Sequence, residues 1–185
     1  VVAWWYSTYQ PSERHYIMSV PQSQFDPNLF LDAQVSEVNV KRPPLPSENP
    51  ASADGTYIAV IGEVKMDSGS ISKGERVGQP WLSAIVPLQL EVPQQVQDQL
   101  GLKLDKGTIT LTDRAMIDLT PQNTIDNSPG RNRRQRQYRD ALDLNKPGDV
   151  WSWRKASGQV VKVKVEHELY NNEIQERIGA ILRRS

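Results

Sequence analysis

Apolar positions crowd together in one stretch of this chain and alternate with polar ones in several others. The crowded stretch, Tyr57-Ile58-Ala59-Val60-Ile61-Gly62-Glu63-Val64, is apolar on both parities at its centre, the pattern of a strand covered on both faces. Leu82, Ala84, Val86, Leu88, Leu90 and Val92 keep one parity, which predicts a long strand buried on one side only. Pro87 falls on the opposite parity and lacks an N–H, so it is expected at a sheet edge or a bulge. Ile109, Leu111, Ala115, Ile117 and Leu119 repeat the alternation, interrupted by the polar Asp113. Val161, Val163, Val165, His167 and Leu169 alternate with Lys162, Lys164, Glu166, Glu168 and Tyr170. Asn171-Asn172 then signals a turn, and Ile174, Ile178, Ala180 and Leu182 make the returning strand.

Helical signals are fewer. Pro93 before residues 94–100 and Gly101 after them mark a short helix. Residues 131–144 are the main helix candidate, with Tyr138, Ala141 and Leu142 clustered on one side and Asn145 and Pro147-Gly148 as the stop. Trp151 and Trp153 are expected on a short strand beyond it, and residues 66–80, with Gly69, Gly74 and Gly78, read as a flexible loop. The main order is strands at 56–65, 82–92 and 108–119, a helix at 131–144, and strands at 159–169 and 174–182. The fold class is mostly β with one main helix. Five strands with a helix between the third and fourth is the plan of an OB-like five-stranded barrel. A β-sandwich is the alternative, because order alone does not fix pairing.

This OB-like domain is expected over residues 55–185. Ahead of it, residues 18–54 read as an N-terminal extension, with a short amphipathic helix at 25–31 and a proline-rich linker at 41–54. Residues 1–17 carry Trp4, Trp5, Tyr6, Tyr9 and Tyr16 without a period and precede the first methionine, Met18; they read as a leader, either an upstream translation artefact, a fragment of something longer or an aromatic arm.

Composition narrows function mostly by exclusion. Twenty-two basic residues balance 22 acidic ones, so attraction to nucleic acid has to come from a local patch. The absence of cysteine removes disulfides, thiolate nucleophiles and cysteine-rich metal sites. The only histidines, His15 and His167, suggest neither a metal pair nor a Ser/His/Asp arrangement. No cofactor or metal is therefore expected, and the chain reads as a binding protein and not an enzyme. Its apolar runs are too short for a bilayer, so no membrane partner is expected.

One charge cluster stands out. Arg131, Arg133, Arg134, Arg136 and Arg139, followed by Arg154 and Lys155, outnumber the acidic residues around them. The spacing of Arg133, Arg136 and Arg139 is read as one helical face suited to successive phosphates. Arg136–Asp140 and Arg139–Asp143 are also i,i+4 pairs, as on a merely solvated helix. Lys162 and Lys164 add basic strand positions, and Trp81, Trp151, Trp153 and Tyr170 offer stacking faces. Basic residues interleaved with aromatics are what sequence-tolerant single-strand binders use.

The run Gly130-Arg131-Asn132-Arg133, then Tyr138-Arg139-Asp140-Ala141-Leu142, Lys146-Pro147-Gly148, Gly158 and the Val161–His167 alternation, resembles small phage-encoded proteins of the single-stranded-DNA-binding type. Phe25-Asp26-Pro27-Asn28-Leu29-Phe30-Leu31 and Gly55-Thr56-Tyr57-Ile58-Ala59-Val60-Ile61 extend the resemblance, which covers about residues 19–182. It implies an OB-like fold and non-enzymatic single-stranded DNA binding in phage replication or recombination, in the cytoplasm of the host cell. The alternative is a phage structural or assembly protein that places the same arginines and tryptophans at a protein interface. A homo-oligomer is compatible with either.

Overall fold

The computed structural model describes residues 41–184. The leader at 1–17 and the helix expected at 25–31 lie outside the described residues. Within them, one antiparallel sheet contains β1 (Tyr57–Ile61), β2 (Lys65–Ser70), β3 (Pro80–Glu91), β4 (Thr108–Ile117), β5 (Val160–Tyr170) and β6 (Glu173–Leu182). The helices are α1 (Gln94–Leu100), α2 (Arg133–Ala141) and α3 (Trp153–Ala156). The fold is mostly β, as the alternation predicts. No helix of the described residues is long and apolar enough to cross a membrane.

Strand β3 is the hub. β4 pairs with it from Leu82 to Glu91, while its other edge is shared, β2 taking the first half and β1 the second. The two partners leave a gap between Ile85, opposite Lys65, and Leu88, opposite Ile61. Pro87 occupies that gap. It therefore lies in an interior strand and not at the edge expected for it, tolerated because β1 gives way to β2 where its missing N–H would have pointed. Its carbonyl still accepts from the Gly62 N–H at 2.7 Å. A Cβ on Gly62 would come within 3.2 Å of the proline ring, so the close approach favours glycine there.

The loop expected at 66–80 is shorter than predicted, because β2 takes its first residues. That strand is nearly all exposed and polar, so it has no apolar period to betray it. On the opposite side β1 pairs with β5, and β5 with β6. A register shift makes Gly179 the extra residue of a bulge, Lys164 facing Ala180 and Val165 facing Ile178. A Cβ at Gly179 would lie 2.5 Å from the Glu166 side chain.

The sheet path runs β4-β3-β1-β5-β6 and is open; among the described residues no ladder joins its ends. Those ends nevertheless approach each other, and α2 packs against both. The core between them holds Tyr57, Ile61, Val86, Leu88, Leu90, Val161 and Val163, with Val96 of α1 and Tyr138 of α2. Burial along β5 stops at Val165. Leu169 is 70% exposed although it shares the parity of the buried valines, because the β5–β6 hairpin runs past the core.

Residues 41–54 are not a linker. Leu45 is fully buried in the core, and its N–H donates to Glu176 Oε2 at 2.7 Å. Arg42 pairs with Glu176, Lys41 pairs with Glu173, and Tyr57 Oη donates to the Pro46 carbonyl at 2.9 Å. Prolines suit such a strap, since each removes a backbone donor that would otherwise need a partner. The compact unit accordingly starts at Lys41, earlier than the boundary at residue 55 that the proline content implies.

Candidate nucleic-acid interface

Helix α2 is set in place by the residue just before it, Asn132. Asn132 adopts a left-handed conformation (φ 50°), which asparagine tolerates better than most residues. Its side-chain Oδ1 accepts from the Asp118 N–H at 2.8 Å and its Nδ2 donates to the Asp126 carbonyl at 2.7 Å. Its own N–H donates to Asp118 Oδ2 at 2.7 Å. These bonds tie the end of β4, the 126–132 loop and α2 together, so the flanking arginines project from a fixed frame. Ser128 hydrogen bonds, with Arg131 nearby, hold the Asp126 carboxyl below the usual carboxylate range.

The predicted arginines part company on this frame. Arg134 turns into the structure and uses all of its N–H groups: Nε and Nη2 on Asp113 (2.8 and 3.0 Å), Nη1 on Gln137 and the Gly179 carbonyl, Nη2 on the Ile178 carbonyl. Tyr138 Oη completes the cluster with a 2.8 Å bond to Asp113, and burial together with that carboxylate pushes the phenol far above its ordinary range. Arg134 therefore joins α2, β4 and the β6 bulge, and none of its N–H groups is left for phosphate. Arg131 is exposed and faces Asp126 at 3.4 Å and Asp118 at 3.9 Å. Arg133 is also exposed, with Nε toward the Gly130 carbonyl at 3.4 Å.

Arg133, Arg136 and Arg139 do not form one face. With about 100° per residue, each step of three drifts back by about 60°, so Arg133 and Arg139 stand about 120° apart around the helix. Arg131 and Arg133 line a cleft of about 500 Å3 on the β4 side, together with Arg114, Met116 and Asp118. Arg136 and Arg139 line a different cleft, which Arg131 also borders. Arg136 makes the expected pair with Asp140 at 3.5 Å, whereas Arg139 donates Nε to the Leu144 carbonyl. Asp143 pairs with Lys146 and Arg183 in place of Arg139.

The remaining candidates lie elsewhere. Arg154 and Lys155 are exposed on α3, Lys155 Nζ donating to the Val150 carbonyl at 3.1 Å. Lys162 is largely covered and reaches Asp54 at 2.9 Å, and Lys164 is exposed opposite Ala180. Side-chain bonds from Ser52, Thr56 and Lys162 hold Asp54 well below the usual carboxylate range. Trp151 and Trp153 are not on a strand. Trp153 opens α3 and packs edge-on to Tyr138, with Trp151 edge-on to Trp153, both centroid distances being 5.3 Å. Their rings pack against the core, which corrects the expectation of free stacking faces.

Trp81, also among the expected stacking aromatics, is presented outward. Partly exposed on β3, it lies so close over Gly69 of β2 that a Cβ there would come within 2.9 Å of the ring. The Arg114 guanidinium sits 5.7 Å from the indole centroid and is steadied by Asp67 (2.8 Å) and Ser83 (3.0 Å). Met66 and Met116, each 51% exposed, belong to the same three strands. Sequence reasoning missed Arg114 and Met116, although their parity, opposite to Ala115 and Ile117, marks them as outward residues. Comparison with known protein families and with curated proteins finds no match to this chain.

Proposed function

We propose that this domain is a non-enzymatic, OB-like module that binds single-stranded DNA across the outer face of β3 and β4. The observation carrying this reading is that Trp81 and Arg114 sit together on that face, with Arg131 and Arg133 on the cleft beside Arg114. Planar groups give stacking partners for successive bases, and the flanking guanidiniums neutralise phosphates. The strand order supports the OB-like part. If β1 and β2 are taken as two halves of one bent first strand, five strands remain, a helix lies between the third and fourth, and the second and third provide the face on which OB-folds take oligonucleotides. The Arg134 cluster would then act where a closing ladder is lacking. The resemblance in sequence adds phage replication or recombination, in the host-cell cytoplasm, as the setting.

The test is titration of a labelled oligo-dT by fluorescence anisotropy. Binding should weaken as salt rises, by about 0.7 log unit per tenfold salt for each phosphate neutralised. Arg114→Ala with Arg133→Ala should weaken binding and flatten that slope, whereas Lys155→Ala should change neither. Equal behaviour of the two variants would remove this face from the interface. A second reading, an assembly protein, is favoured by the exposed Leu169, Tyr170 and Ile174 at the β5–β6 hairpin tip. Concentration-dependent self-association without oligonucleotide binding would support it.

A further inference from the structure

Between α2 and the 126–132 loop lies the second cleft, about 210 Å3 in volume, and it shares a margin with the first. Gly130 and Arg131 border both. Gly130 has no side chain to raise a wall there, and the Arg131 side chain is 57% exposed on the shared margin. Beyond it the second cleft adds Arg136 and Arg139. Arg136 is 69% exposed, and its partner is the equally open Asp140 at 3.5 Å. Arg139 hydrogen-bonds through Nε alone, which leaves both Nη groups unanswered among the described residues. Arg131 meets Asp126 and Asp118 only at 3.4 and 3.9 Å. Exposed pairs of this kind hold little free energy, so a phosphate can displace them. Asp126 is the carboxylate on this border, and the Ser128 N–H already donates to it at 2.9 Å. Three guanidiniums against one carboxylate leave the cleft positive.

We propose that the second cleft is a phosphate track that carries the DNA strand over α2 once it leaves the β3–β4 face, with Arg131 at the crossing and Arg136 and Arg139 as the further contacts. The proposal rests on the single-strand reading above and adds the path and length of the bound strand to it. OB-fold sites span about 4–16 nucleotides, so a short strand fills the β3–β4 face and a longer one continues onto α2. Inorganic phosphate offers the same chemistry, so it forms a separate arm of the experiment.

The full chain is titrated with labelled oligo-dT of about five and about fifteen nucleotides across a salt series. The longer strand should show the steeper salt dependence. Arg136→Ala should flatten its slope by about 0.7 and leave the slope and affinity of the shorter strand unchanged. Adding Arg139→Ala should remove about as much again from the longer strand. Lys155→Ala, the loss of one positive charge elsewhere, should alter neither length. In the unmodified chain the Nε–H signals of Arg136 and Arg139, followed by NMR, should shift with the longer strand and not with the shorter one or with micromolar inorganic phosphate. Equal slopes for the two lengths, an Arg136→Ala variant that weakens both alike or neither, or arginine signals that ignore the longer strand would each overturn the track while leaving binding on the β3–β4 face intact. Saturation of those signals by micromolar inorganic phosphate, with no shift from either strand, would make the cleft an ion site and overturn the track. Absence of binding by both lengths would overturn the track and the single-strand reading together. Arg136 is exposed and the NMR readout uses the unmodified chain, so a folding defect in the double variant does not decide the outcome.

Discussion

Arg134 and Arg114 put the same side chain to opposite uses. Arg134 bridges β4 and β6 with its side chain 18% exposed, and each of its five N–H groups has an acceptor within 3.0 Å. Arg114, on the outer face, is 51% exposed and makes only two hydrogen bonds, both through Nη1. The aromatics divide in the same way, Tyr138 being sealed beside Asp113 and Trp81 left partly open beside Arg114. Residue type does not separate a structural arginine from the one proposed to bind; the share of polar groups already answered within the fold does. A saturated arginine resists unfolding, and a half-answered one can exchange water for a phosphate or a base.

The largest expected effect comes from breaking the seam. Arg134→Met strands Asp113 without its partner, and denaturant unfolding should show a loss of about 3–5 kcal/mol. A loss under about 1 kcal/mol would mean that the β4–β6 approach is held by packing alone. Leu45→Ala asks whether the strap belongs with the seam or with the surface; full burial predicts a loss of about 2–5 kcal/mol, where a linker residue would cost almost nothing. On the open face the balance reverses. Trp81→Ala should lower oligo-dT affinity by about 1–3 kcal/mol. Trp153→Ala should act first on the unfolding midpoint, since its ring packs on Tyr138.

Acid gives the smallest effect and acts on the loops. Asp54 is held low chiefly by Ser52, Asp126 by Ser128, and Asp143 by Lys146. Each carboxyl binds its proton more weakly in the folded chain than in the unfolded one. Its contribution is therefore complete above the ordinary aspartate value and drops as pH falls through the lowered folded value. The thermal midpoint should be level from pH 7 to about 5 and decline below about 4. A midpoint unchanged down to pH 2 would show that these loop bonds add nothing to stability.

Much of the sheet is legible in the sequence, because one-sided burial writes itself as a period of two. β3, β4, β5 and β6 fall within two residues of the expected strands. Asp113 even appears as a break on the buried parity of β4. Its partner does not, because Arg134 lies 21 residues away and reaches it only once α2 has docked. β2 carries no apolar alternation, and the strap is anchored by a single leucine among prolines, so neither leaves a periodic trace. The site was read from charge density, which points to α2 but cannot tell an arginine turned inward from its outward neighbour. Trp151 and Trp153 were misread for the same reason, and Trp81, expected beside them as a stacking face, is told apart from them only by Gly69 and Arg114, which the β2–β3–β4 pairing brings alongside it.

The most direct measurement is a salt-dependent titration of labelled oligo-dT against the full chain and its Trp81→Ala and Arg114→Ala variants, each first shown to unfold like the parent. The account predicts saturable binding at low salt, a steep decline as salt rises, a uniform loss of affinity for Trp81→Ala, and a reduced slope for Arg114→Ala. Absence of saturable binding by the intact chain at low salt, or binding that both variants leave unchanged, would contradict it.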